Sequence, residues 1–313
     1  MFSKEIADAS NFVKGVDTTF VVIFAIISFF LIGITATMIY FVYRYRKSKH
    51  PKAEQIHGNT MLEIIWTLIP TALVMVMFYF GWMGYKPMKE VPDDAFVIKS
   101  IARMWHWQFQ YENGKVTDTL YVPKDRDVKL DLVALDVIHS LYIPAFRLKQ
   151  DLVPGKDQFM WFKAGREGDF DLFCTEYCGL SHSSMTTSVV VMDSDKFDKW
   201  YIDTTIVAPI ITDKPGALGL RIVQMNGCLA CHSLDGSKIV GPSWKGLFGS
   251  EETVLTNGVE RKQIVDSAYV VNSIYNPNDD IVKGYKKGLM LSYKNELKEE
   301  DIKEIIEFMK TLK

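Results

Sequence analysis

Cys174-Thr175-Glu176-Tyr177-Cys178-Gly179-Leu180-Ser181-His182-Ser183-Ser184-Met185 is the stretch on which the reading of this chain turns. It puts two thiolates, an imidazole and a thioether on one short loop. A donor set this soft favours copper over the hard cations, which take oxygen ligands. A further imidazole must come from elsewhere, and His139, on a strand edge in Asp136-Val137-Ile138-His139-Ser140, is the natural donor. Two plainer readings compete. A Cys-x3-Cys pair outside the cytoplasm is often a disulfide, and a zinc site would leave Glu176 and Met185 unexplained, since methionine is a poor zinc ligand.

Around this loop the chain alternates in short runs. Phe96 to Ile101, Met104 to Tyr111, Val128 to Leu135, Phe159 to Lys163, Asp169 to Phe173 and Thr187 to Met192 are rich in Val, Ile, Phe, Tyr and Trp. Gly114 and Pro154-Gly155 punctuate them, so the pattern predicts an all-β sandwich or small barrel closed by a helix from about Ser194 to Asp203. Val207 to Pro215 carries two prolines and no helical period, and reads as a linker. Beyond it Leu218, Ile222 and Met225 fall on one helical face, and Ile302, Ile305, Ile306, Met309 and Leu312 on another. The last helix opens with Glu299, Glu300 and Asp301, negative charges that suit a helix N-terminus.

Upstream, Phe20 to Tyr43 and Ile64 to Tyr85 are long apolar segments without a charge. Each has the roughly 20 residues a helix needs to cross about 30 Å of hydrocarbon. The connection between them holds Arg44, Arg46, Lys47, Lys49 and Lys52, so it faces the cytoplasm and the rest of the chain lies outside. A length of 313 residues leaves room for this anchor and two small modules. The net charge of −2 gives no basic face for nucleic acid.

Cys228-Leu229-Ala230-Cys231-His232 is the spacing of covalent haem c attachment, in which two thiols take the vinyl groups and the histidine takes the iron. No other Cys-x-x-Cys pair is present to complete a zinc site, and a helical period precedes the motif. The two centres together use all four cysteines.

The pattern Cys-x-Glu-x-Cys-x3-His-x2-Met with an upstream histidine resembles the binuclear copper motif of cytochrome c oxidase subunit II, of the haem-copper oxygen reductase family. The resemblance implies a multidomain chain: an N-terminal segment and two-helix transmembrane hairpin over 1–90, an all-β cupredoxin-like sandwich over 91–206, a linker over 207–214 and an all-α cytochrome c domain over 215–313. It implies that Cys174 and Cys178 bridge two coppers, that His139 and His182 each ligate one, that Met185 is a weak ligand and that Glu176 contributes its backbone carbonyl. The Glu176 side chain would help bind magnesium at the contact with subunit I.

The C-terminal module is similar to small c-type cytochromes beyond the attachment motif. Gly241-Pro242-Ser243-Trp244-Lys245-Gly246-Leu247-Phe248-Gly249 matches their loop after the haem histidine, where the proline carbonyl would hold the His232 imidazole. Met290 sits where that family places its second axial ligand, although Leu291 stands where a proline is usual. Met225 and Met309, the other candidates, fall on apolar helix faces. Upstream, His57 to Pro70 resembles the subunit II signature at the start of the second span, and Glu63 within it would lie at the mouth of a proton path used by subunit I. The plain alternative is an interfacial charge flanking a helix. Trp105, in Trp105-His106-Trp107-Gln108-Phe109-Gln110-Tyr111, aligns with the residue through which such oxidases receive electrons, whereas most aromatic strands simply pack a core.

The function implied is relay from an external cytochrome c or respiratory complex, through haem c and the copper pair, to haem in subunit I. Oxygen would be reduced there, with proton pumping. The setting is a bacterial plasma membrane with both termini on the periplasmic side, in contact with lipid and other oxidase subunits. Two rivals stay open. One is a nitric oxide reductase subunit with the same copper centre, against which Glu63 and Trp66-Thr67 speak, and the other is a tethered electron carrier without a catalytic partner.

Overall fold

A computed structural model describes residues 9–52, 55, 57–203 and 215–313. The expected linker, 207–214, lies outside the described residues.

Two long helices come first, α1 (Val13–Arg44) and α2 (Thr60–Tyr85). Both begin before the apolar runs do, because polar first turns add to each end. Asn59 caps α2 by accepting from Leu62 N, while Glu63 in the first turn suits the helix dipole. At 32 residues α1 is about 48 Å long, more than a bilayer needs. In both spans the apolar windows are uncovered by protein, and helices apolar on every side need lipid around them. The chain is membrane-anchored.

The β-domain has ten strands. One sheet has the order β3 (Val116–Thr117), β2 (His106–Tyr111), β1 (Phe96–Arg103), β5 (Asp127–Ala134), β8 (Gln158–Lys163). The other runs β4 (Leu120–Pro123), β10 (Thr186–Met192), β9 (Gly168–Cys174), β6 (His139–Ile143), β7 (Leu148–Leu152). In β5 buried and half-buried residues alternate strictly, as expected of a strand with one face on the core. Trp107, Phe109, Phe146 and Phe162 are fully buried in the domain core, as is Phe197, whose ring meets Phe96 edge-on at 5.4 Å. Helix α3 (Ser194–Ile202) closes the domain and is capped by the Asp193 carboxylate.

The expected Met104–Tyr111 strand starts two residues late. Met104 and Trp105 form the turn between β1 and β2, which moves Trp105 off the strand. The residues just before α1 also belong to this domain. Ala9 and Val13 are fully buried, Phe12 meets Trp161 edge-on at 4.9 Å, and Ser10 pairs with Ala164. Asp17 of α1 then holds Arg147 at 2.8 Å.

The C-terminal module is helical, with α4 (Ala217–Met225), α5 (Ser267–Tyr275) and α6 (Glu299–Thr311). In α6, Ile302, Ile305, Ile306 and Met309 are buried as the periodicity predicts. The face of α4 is corrected: Gly219 and Val223 are buried while Leu218 is 40% exposed. The reason is a close crossing, since a Cβ on Gly219 would stand 2.0 Å from the Glu304 carbonyl oxygen of α6. A three-stranded sheet, β12 (Val259–Ile264), β11 (Glu251–Thr256), β13 (Asp280–Val282), adds to the helices, so the module is not purely α-helical as expected.

Candidate metal centre and haem cleft

Strand β9 ends at Cys174, and the loop that follows curls back so that Cys178 returns beside it. The two Sγ atoms are 3.7 Å apart, and all four cysteines are free. His139, at the start of β6, presents Nδ1 at 3.8 Å from Cys174 Sγ, and His182 presents Nδ1 at 3.5 Å from Cys178 Sγ. Met185 Sδ lies 3.9 Å from Cys178 Sγ, and the Glu176 carbonyl oxygen 3.3 Å from Cys174 Sγ. His139, Cys174, Cys178 and Met185 are buried, while the Glu176 side chain faces solvent. Six candidate ligands from two strands and one loop thus converge, with a donor chemistry that fits a thiophilic metal pair. A disulfide is not what the geometry presents.

The electrostatics prepare this cluster for a cation. Burial would push the Cys174 thiol up, yet contacts from His139 and from backbone groups outweigh it and hold the thiol below its ordinary value. Burial and the neighbouring Cys174 charge push Cys178 the other way. Cys174 is therefore the readier of the two to serve as a thiolate, and binding of a metal would release the proton of the second sulfur. Burial lowers His139, but its bonds to Asp136 and Cys174 more than compensate and raise it.

Asp136 lies outside the ligand motif yet supports this site. Its side chain is 3% exposed, and Oδ1 accepts from His139 Nε2 at 2.8 Å. Oδ2 accepts from Met104 N at 2.6 Å. An aspartate three residues before a candidate ligand histidine was the available signal. Trp105 is buried and donates from Nε1 to the Cys178 carbonyl at 3.1 Å; Trp107 donates likewise to Met185 O at 3.3 Å. Glu63 is far along the chain in the first turn of α2, exposed and apart from this cluster.

The second site is a cleft in the helical module. Its walls are mostly apolar, as those of ligand clefts are. Cys231, His232 and Met290 line it, and a smaller adjoining space is lined by Cys228 as well. His232 Nδ1 donates to Pro242 O at 2.8 Å, the bond expected from the loop sequence, and Trp244 packs against the ring at 5.2 Å. This bond leaves Nε2 as the free nitrogen, and burial lowers the imidazole so that it stays neutral. The Cys228 and Cys231 thiols are likewise kept neutral by burial, pushed up to about 12 and about 11. Met309 is core in α6, and Met225 turns its carbonyl toward His106. An apolar cleft with two thiols, an imidazole and a thioether fits a covalently held haem.

An anchor of two apolar helices, a β-sandwich with a soft-donor cluster and a helical module with a haem-attachment motif define a membrane-bound redox protein. Residues 6–81 match the transmembrane domain of cytochrome C oxidase subunit II, 114–193 its periplasmic domain, and 216–313 cytochrome c. Cytochrome c oxidase subunit 2 of Alkalihalophilus pseudofirmus is 30% identical over 311 residues, 93% of this chain and 86% of that protein. The subunit of Cereibacter sphaeroides is 27% identical over 218 residues, 57% of this chain and 72% of that one. The solved periplasmic domain of subunit II from Bradyrhizobium japonicum shares 30% identity over 36% of this chain and 94% of its own, with a TM-score of 0.34. The chain belongs to the cytochrome c oxidase subunit II family and carries a cytochrome c domain at its C-terminus. Membership implies copper in the β-domain and haem in the module.

Proposed function

We propose that the chain is the electron-accepting subunit of a terminal oxidase, passing electrons from an external donor through haem c to a copper pair and on to haem in subunit I. Oxygen reduction and proton pumping belong to that larger partner. When bound, the two cofactors supply the one-electron chemistry that no side chain here provides.

The roles follow from position. Cys174 and Cys178 would bridge the coppers, with His139, His182, Met185 and the Glu176 carbonyl completing the set. Cys228 and Cys231 would hold the porphyrin, and His232 and Met290 its iron. The exposed Glu176 carboxylate is free for magnesium at a partner surface. Glu63 would serve a proton path from the cytoplasmic side, where the basic 44–52 connection sits. Both termini would be periplasmic, over domains of 1–90, 91–206 and 215–313. Packing of residues 9–13 into the sandwich supports this, because it keeps the start of α1 on the side of the β-domain.

The single observation that carries the reading is the turn Met104-Trp105-His106. Trp105 bonds the candidate copper loop at Cys178 O, while Met104 lines the space beside Cys228 and His106 bonds Met225 O. One short turn touches both ligand sets, which is what a relay between them requires. Purification of the full chain in mild detergent tests it. A complex with a large haem-bearing subunit that consumes oxygen, with about two coppers and one covalent haem per chain, is the expected result. A chain that runs alone supports a tethered carrier, and a complex that turns over nitric oxide instead supports the reductase.

A further inference from the structure

Arg103, the last residue of β1, is a charged side chain only 3% exposed. A buried guanidinium needs a partner. Arg103 finds its partners outside its own domain: Nη2 meets Glu296 Oε2 of the cytochrome module at 2.7 Å, and the guanidinium lies over the Tyr293 ring at 5.1 Å. Tyr293 in turn donates to Asn226 O at 3.0 Å, two residues before Cys228. On the same surface His106 Nε2 donates to Met225 O at 3.1 Å. Contact there is tight, for a Cβ on Gly227 would stand 2.5 Å from His106 Cβ.

From this we infer that the Arg103–Glu296 pair is a latch that seats the cytochrome module on the β1–β2 turn of its own copper domain. The latch holds the thioether side of the haem cleft against Met104 and Trp105. The reasoning is one of specificity. Glu296 stays 36% exposed, so the pair itself adds modest net stability, but burying the Arg103 charge without it is strongly unfavourable. A pose that pairs Arg103 is therefore selected over neighbouring poses that strand it beneath the module. The Arg103 charge also reaches Cys228, so the latch sits at the edge where the porphyrin would be attached. Arg103 and Glu296 are positioning residues, since neither touches a candidate ligand atom. The inference rests on the relay reading for its consequence, though not for its geometry.

The test uses the full chain, matured with haem and copper in detergent, as wild type, Arg103→Glu, Glu296→Arg and the double swap. Two readouts are taken: hydrogen exchange at the amides of 104–107 and 226–229, and the rate of haem-to-copper electron transfer after flash photoreduction. Each single reversal puts like charges together, so protection on both sides of the contact falls and transfer slows by about tenfold or more through misplacement. The double swap restores both. Single reversals that leave protection and rate at wild-type values overturn the latch, as does a double swap no better than either single. A wild type with protected amides and no haem-to-copper transfer sinks the relay reading while leaving the latch supported.

Discussion

Asp136→Ala separates positioning of a metal ligand from the ligand itself. The Asp136 carboxylate accepts a hydrogen bond from His139 Nε2 at 2.8 Å, which leaves Nδ1 as the nitrogen that faces Cys174 Sγ at 3.8 Å. It also accepts from Val137 N at 2.7 Å and Met104 N at 2.6 Å. Removing it frees the ring to change tautomer or rotate. Loss of such an orienting partner weakens metal binding about 10–100-fold, or about 1.4–2.7 kcal/mol. Stranding the Met104 amide costs the metal-free fold about 1–3 kcal/mol besides. Asp136→Asn is the informative control. An amide oriented with its oxygen toward His139 keeps the tautomer and leaves only the Met104 contact donor to donor, so its copper affinity stays much nearer wild type than that of Asp136→Ala. Chelator competition on the full chain in detergent measures the affinities, and paramagnetic resonance reports whether the mixed-valence pair forms. If folded Asp136→Ala binds copper as tightly as wild type, the carboxylate does not hold the ligand and the reasoning fails.

Gly241→Ala should disturb the haem without touching a ligand, because the new Cβ would stand 2.7 Å from His232 Cε1 and 3.0 Å from Nδ1. The expected result is partial loss of the low-spin c-type spectrum with the covalent haem still attached. His106 is held down to about 4, first by burial and then by Arg103, so it is neutral in the folded chain. An unfolded chain takes up that proton near the ordinary value, so the stability it contributes is intact above about pH 6.5 and is lost as pH falls toward 4, by up to about 3 kcal/mol. Melts at pH 7 and pH 5 should show the loss in wild type and a flatter dependence in His106→Gln. Phe12→Ala, which empties a place against Trp161, should destabilise the β-domain by about 3 kcal/mol, read as a lower denaturation midpoint. For the same reason a fragment beginning near residue 90 should be less stable than one to which 9–13 are restored.

What was legible in the sequence follows from which interactions are local. The two spans, the Cys174–Met185 loop and Cys228–His232 announce themselves by composition or fixed spacing, and most long strands alternate clearly enough to be seen. Strand β7, Leu148-Lys149-Gln150-Asp151-Leu152, was missed because only its ends are apolar, so pairing with β6 and not its own pattern makes it a strand. Strand β12, Val259-Glu260-Arg261-Lys262-Gln263-Ile264, is largely exposed and charged, and backbone pairing with β11 holds it. The tuck of Ala9 to Val13 beneath Trp161 depends on a contact across some 150 residues, which no local pattern records.

The same distinction explains why the ligands are readable while their supports, the Pro242 carbonyl aside, are not. A metal pair constrains ligand type and spacing, so Cys174, Cys178, His182 and Met185 form a pattern on one loop. The groups that orient ligands need only end up close in space. Asp136 reaches His139 within its own segment, but it reaches Met104 only because the β1–β2 turn folds over that segment. In sequence Arg103 falls between two expected strands, and Met104, Trp105 and His106 read as the start of the second. Folding places them in a row between the two ligand sets, with Arg103 and His106 meeting the cytochrome and Trp105 meeting the Cys178 carbonyl. A turn under that many separate bonds has little freedom to move, and a fixed separation between two redox centres is what a relay depends on. A wild-type chain whose turn amides exchange as fast as an exposed loop would therefore count against the relay as strongly as a missing cofactor.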